Sequence, residues 1–277
     1  MTGPDGAPSG AGTSAAEATP AAGADALRLT VIGCAPAWVR SPGQPSSCYL
    51  VEGAGSALVL DLGQGALGPL HAVRDPLTLD AIAISHLHPD HHVDLVALRH
   101  LLRWGTQPPA RLALVAPPAI AERYDAFLGE GGFLGASFEI APVAAGTRTI
   151  GGLALTAHPV RHAAGSHGYR VARADAPDAP GLVYSGDCGA WEDLLPLLRP
   201  GDTLLTEAFW GAEPADPGAA HLTADEAARA ALAGGAARLI LTHLGVEHDP
   251  DAALAAARAR FGGPTALAHP GLVVTVD

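Results

Sequence analysis

Ser85-His86-Leu87-His88-Pro89-Asp90-His91-His92 gathers four histidines and a carboxylate into one short stretch. It follows directly on Leu79-Asp80-Ala81-Ile82-Ala83-Ile84, an apolar run that reads as a buried strand, and precedes a helical pattern over residues 93–102. Imidazole is a good ligand for borderline cations such as Zn²⁺, and a carboxylate adds an oxygen ligand that is anionic at neutral pH. His86, His88, Asp90 and His91 stand in the spacing H-x-H-x-D-H. Four side chains this close together do not easily close on one tetrahedral ion, so the spacing predicts ligands divided between two adjacent ions. A solvated histidine-rich loop would explain the run if histidine were abundant, but the chain has 13 histidines among 277 residues. A binuclear hydrolase is the expectation.

Composition sets the frame for such a site. With 48% hydrophobic residues the chain has enough apolar side chain for a large core. Residues 1–26 are nearly all Ala, Gly, Pro, Ser and Thr and read as a disordered tail, leaving 27–277 as the hydrolase domain. The start lacks the basic and apolar pattern of a secretory signal, and no later run is apolar over the roughly 18 residues of a membrane span. A soluble, cytoplasmic protein with no membrane partner is expected. Cys34, Cys48 and Cys188 are few and scattered, as reduced thiols are. There is no lysine, which excludes Schiff-base chemistry and a P-loop. The net charge of −12 argues against general affinity for nucleic acid but is compatible with a small anionic ester held by cations. The sequence leaves a homodimer open.

Strand-like runs at 27–33, 48–51, 57–61, 80–84 and 112–116 are followed by others at 153–157, 169–172, 182–185, 203–207, 238–242 and 272–276. Helical patterns fall at 93–102, 118–127, 191–198, 223–233 and 250–261, and Thr223 with Glu226 reads as a capping box. Strands grouped early, then mixed with helices, predict an α/β sandwich with helices outside two sheets.

Further ligand candidates stand at the ends of other apolar runs. Leu182-Val183-Tyr184-Ser185-Gly186-Asp187 ends in a carboxylate able to bridge two cations, and Leu239-Ile240-Leu241-Thr242-His243 ends in an imidazole. Strand ends on one rim of a sheet converge on a common crevice. One of His158, His162 and His167 is expected to complete the first ion's shell, and composition does not choose among them.

The ordered strings SHLHPDHH, a histidine before GYR, YSGD and LTHL resemble the metallo-β-lactamase superfamily, in particular the branch of RNase Z and related phosphodiesterases. The similarity runs from about Leu27 to the C-terminus and includes IGC, SSCYLV and LVLDLGQG. It implies an αββα four-layer sandwich with a dinuclear site, commonly zinc, with manganese or iron as other possibilities. Carried over by position, His86, His88 and His162 would hold one ion, Asp90, His91 and His243 the other, with Asp187 between them. The interval to Gly168-Tyr169 favours His162 over His158. Asp61 matches a carboxylate that orients ligands, and His221 a histidine near the scissile bond, so Asp90 and His221 are the expected catalytic residues. Two ions about 3.5–4 Å apart would activate a shared water for attack on a phosphodiester. The resemblance implies cyclic-nucleotide phosphodiesters first. It also admits tRNA 3′ processing, hydrolysis of lactones, thioesters or sulfate esters, and a non-catalytic metal-binding module. The arm with which RNase Z grips tRNA commonly lies in an interval occupied here only by the short segment 163–186. Phe209 and Trp210 are candidates to line a pocket or simply to pack on the core. Cys188, beside Asp187, is expected to make activity sensitive to oxidation.

Overall fold

The computed structural model describes residues 26–39, 43–215, 218 and 220–276. The segment expected as a tail, 1–26, lies outside the described residues except for Ala26. The chain builds one sheet from β1 (Leu27–Gly33), β2 (Cys48–Gly53), β3 (Ser56–Leu60), β4 (Ala81–Ala83), β5 (Leu112–Ala116) and β6 (Phe138–Pro142). It then builds a second from β7 (Gly146–Ile150), β8 (Leu153–Pro159), β9 (His167–Arg173), β10 (Leu182–Tyr184), β11 (Thr203–Glu207), β12 (Arg238–Thr242) and β13 (Thr265–Leu267). The last strand, β14 (Val273–Val276), returns to pair antiparallel with β1, so each sheet has seven strands. Within them, β3 to β6 run parallel to one another, as do β10 to β13.

Strand alternation separates three apolar layers. Leu58 and Leu60 of β3 face the second sheet, where Leu155, Tyr169, Val171 and Leu205 meet them. Ala57 and Val59, one residue out of phase, face α1 (Leu67–Val73), α2 (Leu95–Trp104) and α3 (Ile120–Leu128). Across the molecule, Ile240 of β12 points inward, while Leu239 and Leu241 point out to α4 (Ala224–Gly234) and α5 (Pro250–Phe261). Strands buried on both faces are continuous apolar runs, which is why β3 and β12 are SALVL and RLILT. The result is an αββα sandwich. Ala227, Ala228 and Ala231 of α4 lie in one buried cluster with Ala253 and Ala257 of α5. The expected capping box is present: Glu226 N–H donates to Thr223 Oγ1 at 3.2 Å and Thr223 N–H to Glu226 Oε2 at 2.9 Å.

Several elements depart from expectation. The helix expected at 191–198 is only a 3₁₀ turn, Trp191–Leu194. Leu195 keeps helical angles, but Pro196 after it supplies no backbone donor, so one rung of a helical hydrogen-bond ladder is missing there. The helix α1 was not expected, because Gly68 and Pro69 make its sequence read as a turn. The strands β6, β7 and β13 were also missed; β7 is GTRTI and β13 only three residues, so neither carries an apolar run. No helix among the described residues is long and apolar enough to cross a membrane.

Candidate metal centre

Parallel strands end on the same edge, and here five of the ends deliver a side chain with chemistry. β3 leads into Asp61, β4 into the histidine-rich loop, β10 into Asp187, β11 ends at Glu207, and β12 leads into His243. His162 joins from the turn between β8 and β9, and His221 from the segment before α4. Two residues on this rim, Asp61 at φ 59° and His243 at φ 53°, hold a left-handed backbone that non-glycine residues rarely adopt.

Two histidine-rich groups of donor atoms result, one of His86, His88, His162 and Asp187, the other of Asp90, His91 and His243, and Asp187 also falls in a third group with Glu207 and His221. In the first, Nε2 of His86 and of His162 each lie 3.6 Å from Asp187 Oδ2, and His162 Nε2 lies 3.0 Å from His88 Nδ1. In the second, Asp90 Oδ2 is 3.5 Å from His91 Nε2 and 3.8 Å from His243 Nε2. Asp187 joins the two groups, with Oδ1 3.3 Å from His91 Nε2 and Oδ2 3.5 Å from His243 Nε2. Ligands bound at about 2.0–2.1 Å in a tetrahedron stand roughly 3.4 Å from one another, so these separations, apart from the His88–His162 contact, suit a shared cation better than direct hydrogen bonds. His86 Nε2, His91 Nε2 and Asp187 Oδ1 are buried with no hydrogen-bond partner. Buried polar atoms are rarely left so, and these three converge on the positions a cation would take. The donor set therefore fits divalent metal.

Electrostatics prepare several of these atoms, whereas for His91 burial is outweighed by Asp187 and Asp61, which raise it. Burial holds His86 well below the usual imidazole range and brings His243 down to about 4, favouring the neutral ring that binds metal. Burial alone would raise Asp187, but His243, His91 and His86 outweigh it and keep the carboxyl well below its usual range.

The opposite ring nitrogens are held by the fold. His91 Nδ1–H donates to Asp61 Oδ2 at 2.7 Å, and the same oxygen accepts from Ser85 Oγ and from the Tyr184 hydroxyl, each at 2.7 Å. Asp61 Oδ1 accepts from Ser85 N–H at 2.6 Å. Ser85 Oγ also meets His86 Nδ1 at 3.1 Å, Ser47 Oγ meets His243 Nδ1 at 3.3 Å, and His162 Nδ1–H donates to Ala220 O at 2.7 Å. Each contact leaves Nε2 free to face the centre, the arrangement that metal-binding histidines require. His158 is in neither group; it sits on β8 opposite Gly168. His167 is likewise outside, its Nδ1–H bonded to Gly165 O at 2.8 Å.

His221 lies beside the centre, with Nδ1 4.0 Å from Asp187 Oδ2 and 2.9 Å from Glu207 Oε1. Glu207 escaped the sequence analysis as a site residue. It accepts from the backbone N–H of Cys188, Phe209 and Leu222, at 2.7, 3.1 and 3.2 Å, and burial pushes its carboxyl up to about 6. Burial would lower His221, but the hydrogen bond to Glu207 and its charge prevail and raise it. The overlooked signal was an apolar strand ending in an acid, TLLTE, the same signal that singled out Asp187 and His243. Phe209 stacks on His221 with ring centroids 4.7 Å apart, while Trp210 turns to His248. Cys188 is fully buried, its thiol pushed up by burial and bonded to Ala190 O at 3.1 Å. Such a thiol is inert, which removes the basis for the expected oxidation sensitivity.

Residues 58–244 match the family model described as a β-lactamase superfamily domain. An uncharacterised protein of Mycobacterium leprae is 34% identical over 245 residues, covering 86% of this chain and 84% of its own length. The ribonuclease Z of Myxococcus xanthus is 27% identical over 310 residues, covering 90% of this chain and 97% of its own length. The solved metallo-β-lactamase fold protein YhfI of Bacillus subtilis superposes with a TM-score of 0.80 at 24% identity, covering 91% of this chain and 100% of that one. YhfI also stands among the sequence relatives as a probable metallo-hydrolase, 27% identical over 251 residues. Fold, donor groups and relatives agree, and the chain belongs to the metallo-β-lactamase superfamily as one of its metallo-hydrolases.

Proposed function

We propose that the protein is a phosphodiesterase of small nucleotides, cyclic ones foremost, working with two divalent ions, zinc in the first instance. The observation that carries the proposal is the meeting of both donor groups at Asp187 with the Glu207–His221 pair alongside. His86, His88 and His162 would hold one ion, Asp90, His91 and His243 the other, with Asp187 between. Ions so held supply neutralisation of phosphoryl charge and a nucleophile at neutral pH.

The chain's own residues supply the remainder. Glu207, fixed by the backbone donors of Cys188, Phe209 and Leu222, sets the tautomer and angle of His221 through Nδ1. Phe209 covers one face of that ring and restricts its rotation. His221, its protonated form favoured by Glu207, donates a proton to the departing alkoxide. No side chain needs to form a covalent bond to phosphorus.

Two observations favour a small diester over precursor tRNA. The net charge is −12, unsuited to a long polyphosphate backbone. Residues 163–186 go into the end of the β8–β9 turn, β9, the turn over 174–181, β10 and the two residues after it, so no extended arm stands there. The test is to assay the zinc-reconstituted protein against 3′,5′-cyclic nucleotides, 2′,3′-cyclic nucleotides, precursor tRNA and a lactone. A cyclic diester should have the highest kcat/KM; the proposal fails if the lactone or the tRNA does.

A further inference from the structure

The histidine-rich loop borders a hollow of about 400 Å³. Its walls are Leu87, Pro89 and Val93 from the loop and Tyr124 and Phe127 from α3. His88 forms part of the lining and also belongs to the first donor group, so the hollow opens directly beside the candidate centre. The volume lies within the roughly 300–1,000 Å³ of small-molecule sites.

Three features identify what it would take. Phe127 is 74% exposed, a large apolar ring with nothing laid over it. Arg123, exposed in the same lining, donates from Nη1 to Leu87 O at 2.9 Å, and no carboxylate among the described residues pairs with it. In a chain with 28 acidic residues against 16 arginines, an arginine so placed has charge to spare. The wall is also preorganised: the Tyr124 hydroxyl donates to His92 O and meets His92 Nδ1, both at 2.8 Å. An aliphatic chain would leave the guanidinium unused; a planar ring with a polar edge uses both the phenyl face and the N–H fork.

We infer that this hollow is the specificity pocket of the enzyme, receiving the nucleobase of the substrate against Phe127 with Arg123 at its polar edge. The assignment rests on the phosphodiesterase proposal for the substrate's class, but the pocket is testable without turnover. Equilibrium dialysis of chelated protein should show adenosine binding, and inorganic phosphate should not compete with it. Phe127→Ala should weaken adenosine about tenfold, the scale of one base–aromatic contact. Phe127→Trp should restore it. With zinc present, the affinity for ribose 5-phosphate, which has no base, should be the same in wild type and Phe127→Ala. Absence of adenosine binding, an unchanged affinity in Phe127→Ala, or an equal loss for ribose 5-phosphate would each overturn the pocket. Adenosine binding in a protein that hydrolyses no diester would instead overturn the phosphodiesterase proposal and leave the pocket standing.

Discussion

Asp61 offers the sharpest view of how the fold holds the centre in place, and its replacement has a calculable effect. The carboxylate is fully buried and accepts from Ser85 N–H, Ser85 Oγ, Tyr184 OH and His91 Nδ1. Asn keeps one oxygen and tolerates the left-handed backbone at this position. Its least costly orientation leaves that oxygen where three donors converge, at Oδ2, and turns the amide NH₂ toward Ser85 N–H. One buried bond is then replaced by two opposed donors, a loss of about 1–3 kcal/mol. Ala strands all four donors at once, so its loss is on the order of 5 kcal/mol or more. That is a large share of the roughly 5–15 kcal/mol that holds a typical fold together. Urea unfolding of chelated protein, followed by near-ultraviolet circular dichroism, should place the Asp61→Asn midpoint about 1 M below wild type, with Asp61→Ala lower still. Zinc affinity of the Asn variant, by chelator competition, should fall about 10–100-fold because His91 loses its orienting partner. Wild-type stability in Asp61→Asn, or a smaller loss in Asp61→Ala than in Asp61→Asn, would refute this reasoning.

Glu207→Gln should keep its metal but lower kcat by about 10²–10⁴-fold on esters with poor leaving groups, with a much smaller effect on p-nitrophenyl esters, as measured by steady-state kinetics. Zinc should raise the thermal midpoint of the chelated protein by on the order of 10 °C at saturating ion, because His86 Nε2, His91 Nε2 and Asp187 Oδ1 gain a partner; scanning calorimetry reads this directly. Gly63→Ala would place a Cβ 1.9 Å from Asp90 O, so the histidine-rich loop must shift; a stability loss of about 1–3 kcal/mol or more should appear in urea titration, together with weaker zinc binding. His158→Ala should retain full metal by mass spectrometric analysis, whereas His162→Ala should lose one ion.

Much of this architecture was legible in the residues. Strands buried on both faces, such as β3 and β12, show as unbroken apolar runs, and the residue just past each run is the one the parallel topology carries to the rim. That logic located Asp187 and His243, while Asp61, also at a strand end, was named through the family resemblance. It applied equally to Glu207, whose role stayed hidden because a strand-terminal acid becomes informative only once His221, 14 residues on, is seen 2.9 Å away. The choice among His158, His162 and His167 depended on strand register: His158 is tied to β8 and His167 to β9, while His162 lies in the turn between them. Short or polar elements such as β7, β13 and α1 derive their form from tertiary packing, and their local sequence resembles loop. Pro196 shows the converse case, in which apolar spacing suggested a helix and one residue without a backbone donor interrupts its hydrogen-bond ladder.

The most direct measurement is the metal content of purified, zinc-reconstituted protein by mass spectrometry, for wild type and for Asp187→Ala. Two ions per chain in the wild type, falling to one or fewer in the variant, is the predicted result. A wild type that binds one ion or none, or a variant that retains both, would contradict a paired centre organised around Asp187.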